Sequence, residues 1–270
     1  MIKIIATDFD WTLIDHSGKG FLINRELKAF FDAYIEDGNY VGIVSGRIYP
    51  EMTEIINNMG YAWGNPYPNF TVYKEAYLAD IIDGKKHDFT QNELTRKRVL
   101  SVVRKITRFV DEWIGEVEKQ GIYCREWKVG CDSNFDMNFK TLADSEKAGE
   151  IIANCVANTE LCDVCRVTRN ALIVGVAVKE INKGTALLAF AKEKGIAPNE
   201  ILAIGDSFND ESMTDGKLGF LGGCVGNGEE NLKNIVRVGG GYIGEGVASD
   251  SVLDIIKKVQ KDALLPIYRA

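Results

Sequence analysis

Three short apolar runs do most to limit what this chain can fold into. Residues 2–6 run out in Thr7-Asp8-Phe9-Asp10, Tyr40–Val44 runs out in Ser45-Gly46-Arg47, and residues 201–204 run out in Gly205-Asp206-Ser207. An apolar, β-branched stretch without polar alternation reads as a strand buried on both faces, the environment of a parallel strand. Helical patterns separate the runs. Leu27, Phe30, Phe31, Tyr34 and Ile35 share one face before Asp37-Gly38-Asn39 stops the helix. Pro50 suits the first turn of a second helix through Met52, Ile55, Ile56 and Met59, with Gly60 as its stop, and residues 184–194 form another with Gly195 past its end. Strand and helix in alternation predict an α/β fold with a doubly wound parallel sheet.

The pattern changes after Gly60. Strands are expected at 71–77 and 79–82 around a polar stretch, with Asp83-Gly84 as a turn, followed by one long helix over 92–120 with Val99, Val103, Ile106, Val110, Trp113 and Val117 on a single face. Further strands at 122–129 and 135–139, a helix at 145–156 and strands at 164–168 and 172–178 read as an α+β insert. The first pattern then resumes, with a strand near 218–221 and helices at 229–235 and 249–259. The expected organisation is a core of residues 1–86 and 180–270 interrupted by an inserted domain at 87–179.

Composition excludes several functions. Lys and Arg number 32 against 39 Asp and Glu, a net charge of −7, so the surface repels nucleic acid. The longest apolar run, 171–178, is far below the roughly 18 residues that span a bilayer. The N-terminal residues lack the features of a secretory signal, and the cytoplasm is the expected location. Six cysteines in a chain of 270 residues read as reduced thiols, and Cys162-Asp163-Val164-Cys165 has no second pair to complete a zinc site. Only His16 and His87 are present, which leaves acid–base chemistry to carboxylates. Arg96 to Arg108 reads as the solvated face of the long helix. Gly239-x-Gly241-x-x-Gly244 matches a dinucleotide fingerprint in letters alone, since no clear helix follows it.

Open parallel sheets bind ligands where the carboxyl ends of their strands meet loops. Asp8 and Asp10 fall there from the first strand, Ser45 from the second, and Asp206 with Asn209 and Asp210 from the late strand, while Lys183 opens the helix after the insert. Three or more carboxylates in one crevice repel one another by several kcal/mol unless a cation or protons compensate. Mg2+ suits such hard oxygen donors. A lysine and a serine beside that cluster describe a receptor for a phosphoryl group. Arg47 remains open between a site residue and an ordinary surface arginine, while His16 and Asp15 read as turn residues. Trp127 and Tyr123 in the insert read as core aromatics, with substrate contact as the other possibility.

Asp8-Phe9-Asp10-Trp11-Thr12, Ser45-Gly46-Arg47, Lys183 and Gly205-Asp206-Ser207-Phe208-Asn209-Asp210 together resemble the four motifs of the haloacid dehalogenase superfamily of phosphohydrolases. The insert is similar in position and pattern to the cap of its Cof-type branch, rich in sugar-phosphate phosphatases. Val225-Gly226-Asn227-Gly228-Glu229-Glu230 and Gly244-Glu245-Gly246-Val247 also resemble that branch. Trp11 departs from the pattern, which has glycine there. The resemblance implies a Rossmann-like core with a cap that selects substrate, and an Mg2+-dependent phosphatase of a small phosphorylated metabolite, with a sugar phosphate as the leading candidate. It implies Asp8 as nucleophile and Asp10 as general acid and base. It further implies Thr12, Ser45, Gly46, Lys183 and Asn209 around the phosphoryl group, with Thr12 holding the loop. Asp8, Asp206 and the Asp10 backbone carbonyl would hold the metal, and Asp210 would lie behind it. The second aspartate distinguishes a phosphatase from a dehalogenase, because halide leaves without protonation. A phosphomutase, a receiver-like phospho-acceptor module and a silent binding protein are the competing readings.

Overall fold

The computed structural model describes residues 1–17, 23–130, 135–170 and 172–268. Cys131 and Ala171, the first residue of the longest apolar run, lie outside the described residues. In chain order the elements are β1 (Ile4–Thr7), α1 (Arg25–Glu36), β2 (Tyr40–Val44), α2 (Tyr49–Asn58), β3 (Phe70–Tyr73), β4 (Tyr77–Ile82) and β5 (Lys85–Asp88), then α3 (Asn92–Ile106), α4 (Val110–Glu118), β6 (Glu126–Val129), β7 (Phe135–Asn138), α5 (Leu142–Ala157), β8 (Cys165–Asn170) and β9 (Ile173–Val178). They continue with α6 (Lys183–Glu193), β10 (Ile201–Gly205), α7 (Glu211–Thr214), β11 (Leu221–Cys224), α8 (Glu230–Val238), β12 (Tyr242–Ile243) and α9 (Ala248–Lys261). The chain divides into two compact units, residues 1–89 with 183–270, and residues 90–182.

The first unit is built on an eight-stranded sheet of order β12-β11-β10-β1-β2-β3-β4-β5. Its strands from β12 to β3 run parallel, and β4 and β5 turn back as an antiparallel edge. Each face of the sheet is covered. Ile5 of β1 joins Leu27, Phe31, Met52 and Ile256 on one side, while Ile4 and Ala6 join Leu187, Phe190 and Met213 on the other. Burial on both faces is why these strands carry no polar alternation.

In the second unit, an antiparallel sheet of order β6-β7-β9-β8 buries Phe135, Met137, Val174 and Val176 against Val99, Val103, Ile106, Trp113 and Ile152 of its helices. Four expectations need correction. The long helix over 92–120 is interrupted after Ile106, where Thr107 turns its hydroxyl back to the Val103 carbonyl at 2.9 Å and the chain restarts as α4. All six residues of the expected apolar face are nonetheless buried, because both helices lie on one core. The strand expected at 71–77 breaks at Lys74 and Glu75, whose φ angles of 52° and 57° make a hairpin turn. The strand expected near 218–221 is β11, three residues later. Trp127 and Tyr123 are not core aromatics, being 47% and 64% exposed. Among the described residues no helix is long and apolar enough to cross a membrane.

Candidate active site

The sheet order reverses between β1 and β10, since β1 continues to β2 on one side and β10 to β11 on the other. At such a switch point the connecting loops part and leave a crevice at the carboxyl ends. The Asp8 N–H, one residue beyond β1, donates to the Ile204 carbonyl at 2.8 Å, which holds the end of β1 against β10.

Lys183 is the first residue of α6 and wholly buried. A side chain at the next position would place its Cβ 2.0 Å from the Ser212 carbonyl oxygen, so Gly184 is what lets this turn pack there. The Lys183 ammonium donates to Asp8 Oδ1 at 2.7 Å and to Asp210 Oδ1 at 2.6 Å. The other Asp210 oxygen accepts the backbone N–H groups of Asp206 at 3.0 Å and Ser207 at 3.1 Å. That loop needs Gly205, because a Cβ there would come within 2.4 Å of the Asp210 side chain. Thr12 donates its buried hydroxyl to Asp206 Oδ1 at 2.8 Å, tying the loop after β1 to the loop after β10.

Three buried carboxylates thus face one ammonium. Burial raises Asp8 well above the usual carboxylate range, against the opposing pull of Lys183. Asp206 is pushed up to about 7 by burial and by the neighbouring Asp210 charge. Burial works to lower the Lys183 ammonium, but Asp210 and Asp8 outweigh it and leave it raised. Asp8, Asp206 and Asp210 each offer an oxygen, all within 4.8 Å of one another. An excess of buried hard oxygen donors over positive charge fits a divalent cation of the Mg2+ kind.

Asp10 faces different partners. Arg47 grips it with Nε to Oδ2 at 2.7 Å and Nη2 to Oδ1 at 2.8 Å, and His16 Nε2 lies 2.7 Å from Oδ1. Sequence reasoning left Arg47 open and read His16 as a turn residue; neither has a spacing that reveals a shared partner. Ser45 is buried at the end of β2, and its Oγ accepts the Arg47 N–H at 3.1 Å, while Gly46 beside it is exposed. Asn209 is buried too, its amide NH2 donating to Glu75 Oε1 at 3.0 Å and its oxygen accepting from Ser207 Oγ at 2.7 Å. Glu75 was absent from the expected set. The β3–β4 turn carries it there, with the Glu75 N–H on the Ser45 carbonyl and the Lys74 N–H on the Arg47 carbonyl, both at 2.9 Å.

This geometry can be set beside known proteins. Residues 128–256 match a family model described as haloacid dehalogenase-like hydrolase, a segment that contains Lys183 and Asp206 to Asp210. Over that segment the chain is similar to the haloacid dehalogenase-like hydrolases. The chain is 26% identical to a phosphoglycolate phosphatase of Thermoplasma volcanium over 86% of its own length and 89% of the relative's. It is 25% identical to the 5-amino-6-(5-phospho-D-ribitylamino)uracil phosphatase of Bacillus subtilis over 95% of each chain. Its fold is similar to the sucrose-phosphatase of Synechocystis, with a TM-score of 0.65 and 14% identity over 96% of this chain and 99% of that one. It is likewise similar to a haloacid dehalogenase-like hydrolase from Bacteroides thetaiotaomicron, with a TM-score of 0.60 and 16% identity over 97% and 100%.

Proposed function

We propose that this phosphatase hydrolyses a small phosphorylated metabolite, a sugar phosphate, through a phosphorylated Asp8 and with Mg2+ bound. The observation that carries the reading is the buried Asp8–Lys183 pair at the end of β1, with Asp206 beside it. A carboxylate taken out of water and kept next to an ammonium suits in-line attack on an anionic phosphorus, where desolvation favours bond formation and the cation screens the charges.

Asp8 attacks phosphorus through a carboxylate oxygen while the bond from phosphorus to the leaving oxygen breaks. Lys183, the Ser45 hydroxyl, the Gly46 backbone N–H and Asn209 receive the phosphoryl oxygens. Asp10 gives its proton to the leaving alkoxide. A water then attacks the acyl phosphate and returns a proton to Asp10, releasing phosphate and the Asp8 carboxylate. Arg47 donates to both Asp10 oxygens, so transfer requires Arg47 to yield one of them. Thr12 keeps the Asp8 and Asp206 loops in register, and Asp210 orients Lys183. Asp8, Asp206 and the Asp10 backbone carbonyl would hold Mg2+, which supplies positive charge against the non-bridging oxygens. Residues 90–182 select the substrate.

Phosphate release from a panel of phosphate monoesters with and without Mg2+ tests this. Activity is expected with Mg2+ and lost in Asp8→Asn with the fold intact. Turnover retained by Asp8→Asn overturns the mechanism.

A further inference from the structure

Trp11 stands next to Asp10 and combines two unfavourable features. Its φ is +60°, and the residue is 43% exposed. A bulky side chain in the left-handed region is strained relative to glycine. Burying a tryptophan would normally offset that cost, but here much of the ring remains in water. The conformation is held from several sides. The Trp11 N–H donates to the Ile14 carbonyl at 2.9 Å, and Asn227 donates its amide to the Trp11 carbonyl at 2.7 Å. The ring itself lies against His16, with centroids 5.1 Å apart and planes inclined at 57°. His16 in turn touches Asp10, so one imidazole separates the indole from the carboxyl group that would serve the leaving oxygen. Phe208, also 43% exposed, follows the neighbouring β10 two residues after Asp206.

We infer that Trp11 is a specificity-determining residue, a flat apolar platform for the leaving group of the substrate. It favours esters whose alcohol presents a planar or ring-shaped face, either the C–H face of a pyranose or an aromatic ring, over short acyclic acids and polyols. Stacking needs a rigid exposed π-surface near the bond that breaks, and an indole that neither fills the core nor accepts a proton supplies that alone. The inference rests on the phosphatase reading above and names the class of leaving group that the site takes.

Trp11→Gly and Trp11→Phe test it, with a pyranose 6-phosphate, phenyl phosphate, phosphoglycolate and glycerol phosphate as substrates. Glycine accepts the backbone conformation, so Trp11→Gly folds at least as stably as the parent. Expected is a loss of about tenfold in kcat/KM, carried by KM, for whichever ring-bearing ester is preferred, with the acyclic esters changed by less than about twofold and most of the preference kept in Trp11→Phe. The pyranose and phenyl arms tell a sugar face from an aromatic one. Equal losses on all four esters, or no loss on any, overturn the inference while leaving the reaction in place. No phosphate released by the parent enzyme from any ester overturns the phosphatase reading and this inference together.

Discussion

Arg47 holds Asp10 by two parallel hydrogen bonds, Nε to Oδ2 at 2.7 Å and Nη2 to Oδ1 at 2.8 Å. The planar fork sets the plane of the carboxylate as well as its place, which a lysine could not do. If Asp10 serves the leaving oxygen, its orientation matters most where that oxygen is a poor leaving group. Arg47→Gln should therefore lower kcat by about 10- to 100-fold for an alkyl phosphate and much less for p-nitrophenyl phosphate, whose leaving group departs without a proton. Equal losses on both esters would assign Arg47 a purely structural part.

Lys183 places one buried ammonium in direct contact with both Asp8 and Asp210, at 2.7 and 2.6 Å. Lys183→Met keeps the volume but leaves Asp8 and Asp210 without their ion pair. The expected cost is about 3–5 kcal/mol of stability at pH 8, read by urea denaturation. Removing the ammonium makes ionised carboxylates still less favourable, so Lys183→Met should recover part of that loss at pH 5, where protons take its place. A deficit of equal size at both pH values would mean that packing, not charge, sets the cost.

How much of this was legible in the residues depends on where the signal resides. β1, β2 and β10 announce themselves because two buried faces demand uninterrupted apolar runs, and the acidic residues just past them fall at the crevice by topology alone. The β3–β4 turn was hidden, since Lys74 and Glu75 carry none of the Asn-Gly chemistry that marks a tight hairpin. The break between α3 and α4 was hidden as well, because the apolar spacing continues through it. Arg47 and His16 meet on Asp10 only through tertiary folding, 37 and 6 residues away along the chain, so no local pattern could pair them.

The strained turn itself offers a measurement. Lys74 has a φ of 52° and its N–H donates to the Arg47 carbonyl, a bond that any residue there keeps, so Lys74→Asn or Lys74→Gly should raise stability by about 0.5–1 kcal/mol through relief of the backbone strain. Glu75→Ala removes the acceptor of the Asn209 amide instead, and should lower activity with less effect on the melting temperature. A Lys74 variant less stable than the parent would show that its side chain, not its backbone, determines the cost of the turn.

Protons and a divalent cation compete for the same buried carboxylates, and the sign of that competition can be worked out. Asp206 titrates near 3.8 in an unfolded chain and is pushed up to about 7 in the folded one, with Asp8 shifted in the same direction. Between those two pH values the folded protein retains protons that the unfolded chain has released. The contribution of the site to stability is therefore greatest below about pH 4, falls as pH rises towards 7, and is level above it, a change of at most a few kcal/mol. A bound divalent ion replaces the missing positive charge only after the proton has left, so its affinity rises over the same interval. Melting temperatures with MgCl2 and with EDTA at pH 5, 6, 7 and 8 should show a metal-dependent gain that is small at pH 5 and grows through pH 7. Asp206→Asn should remove both the gain and its pH dependence. A gain that is the same at pH 5 and pH 8 would place the ion somewhere other than these carboxylates.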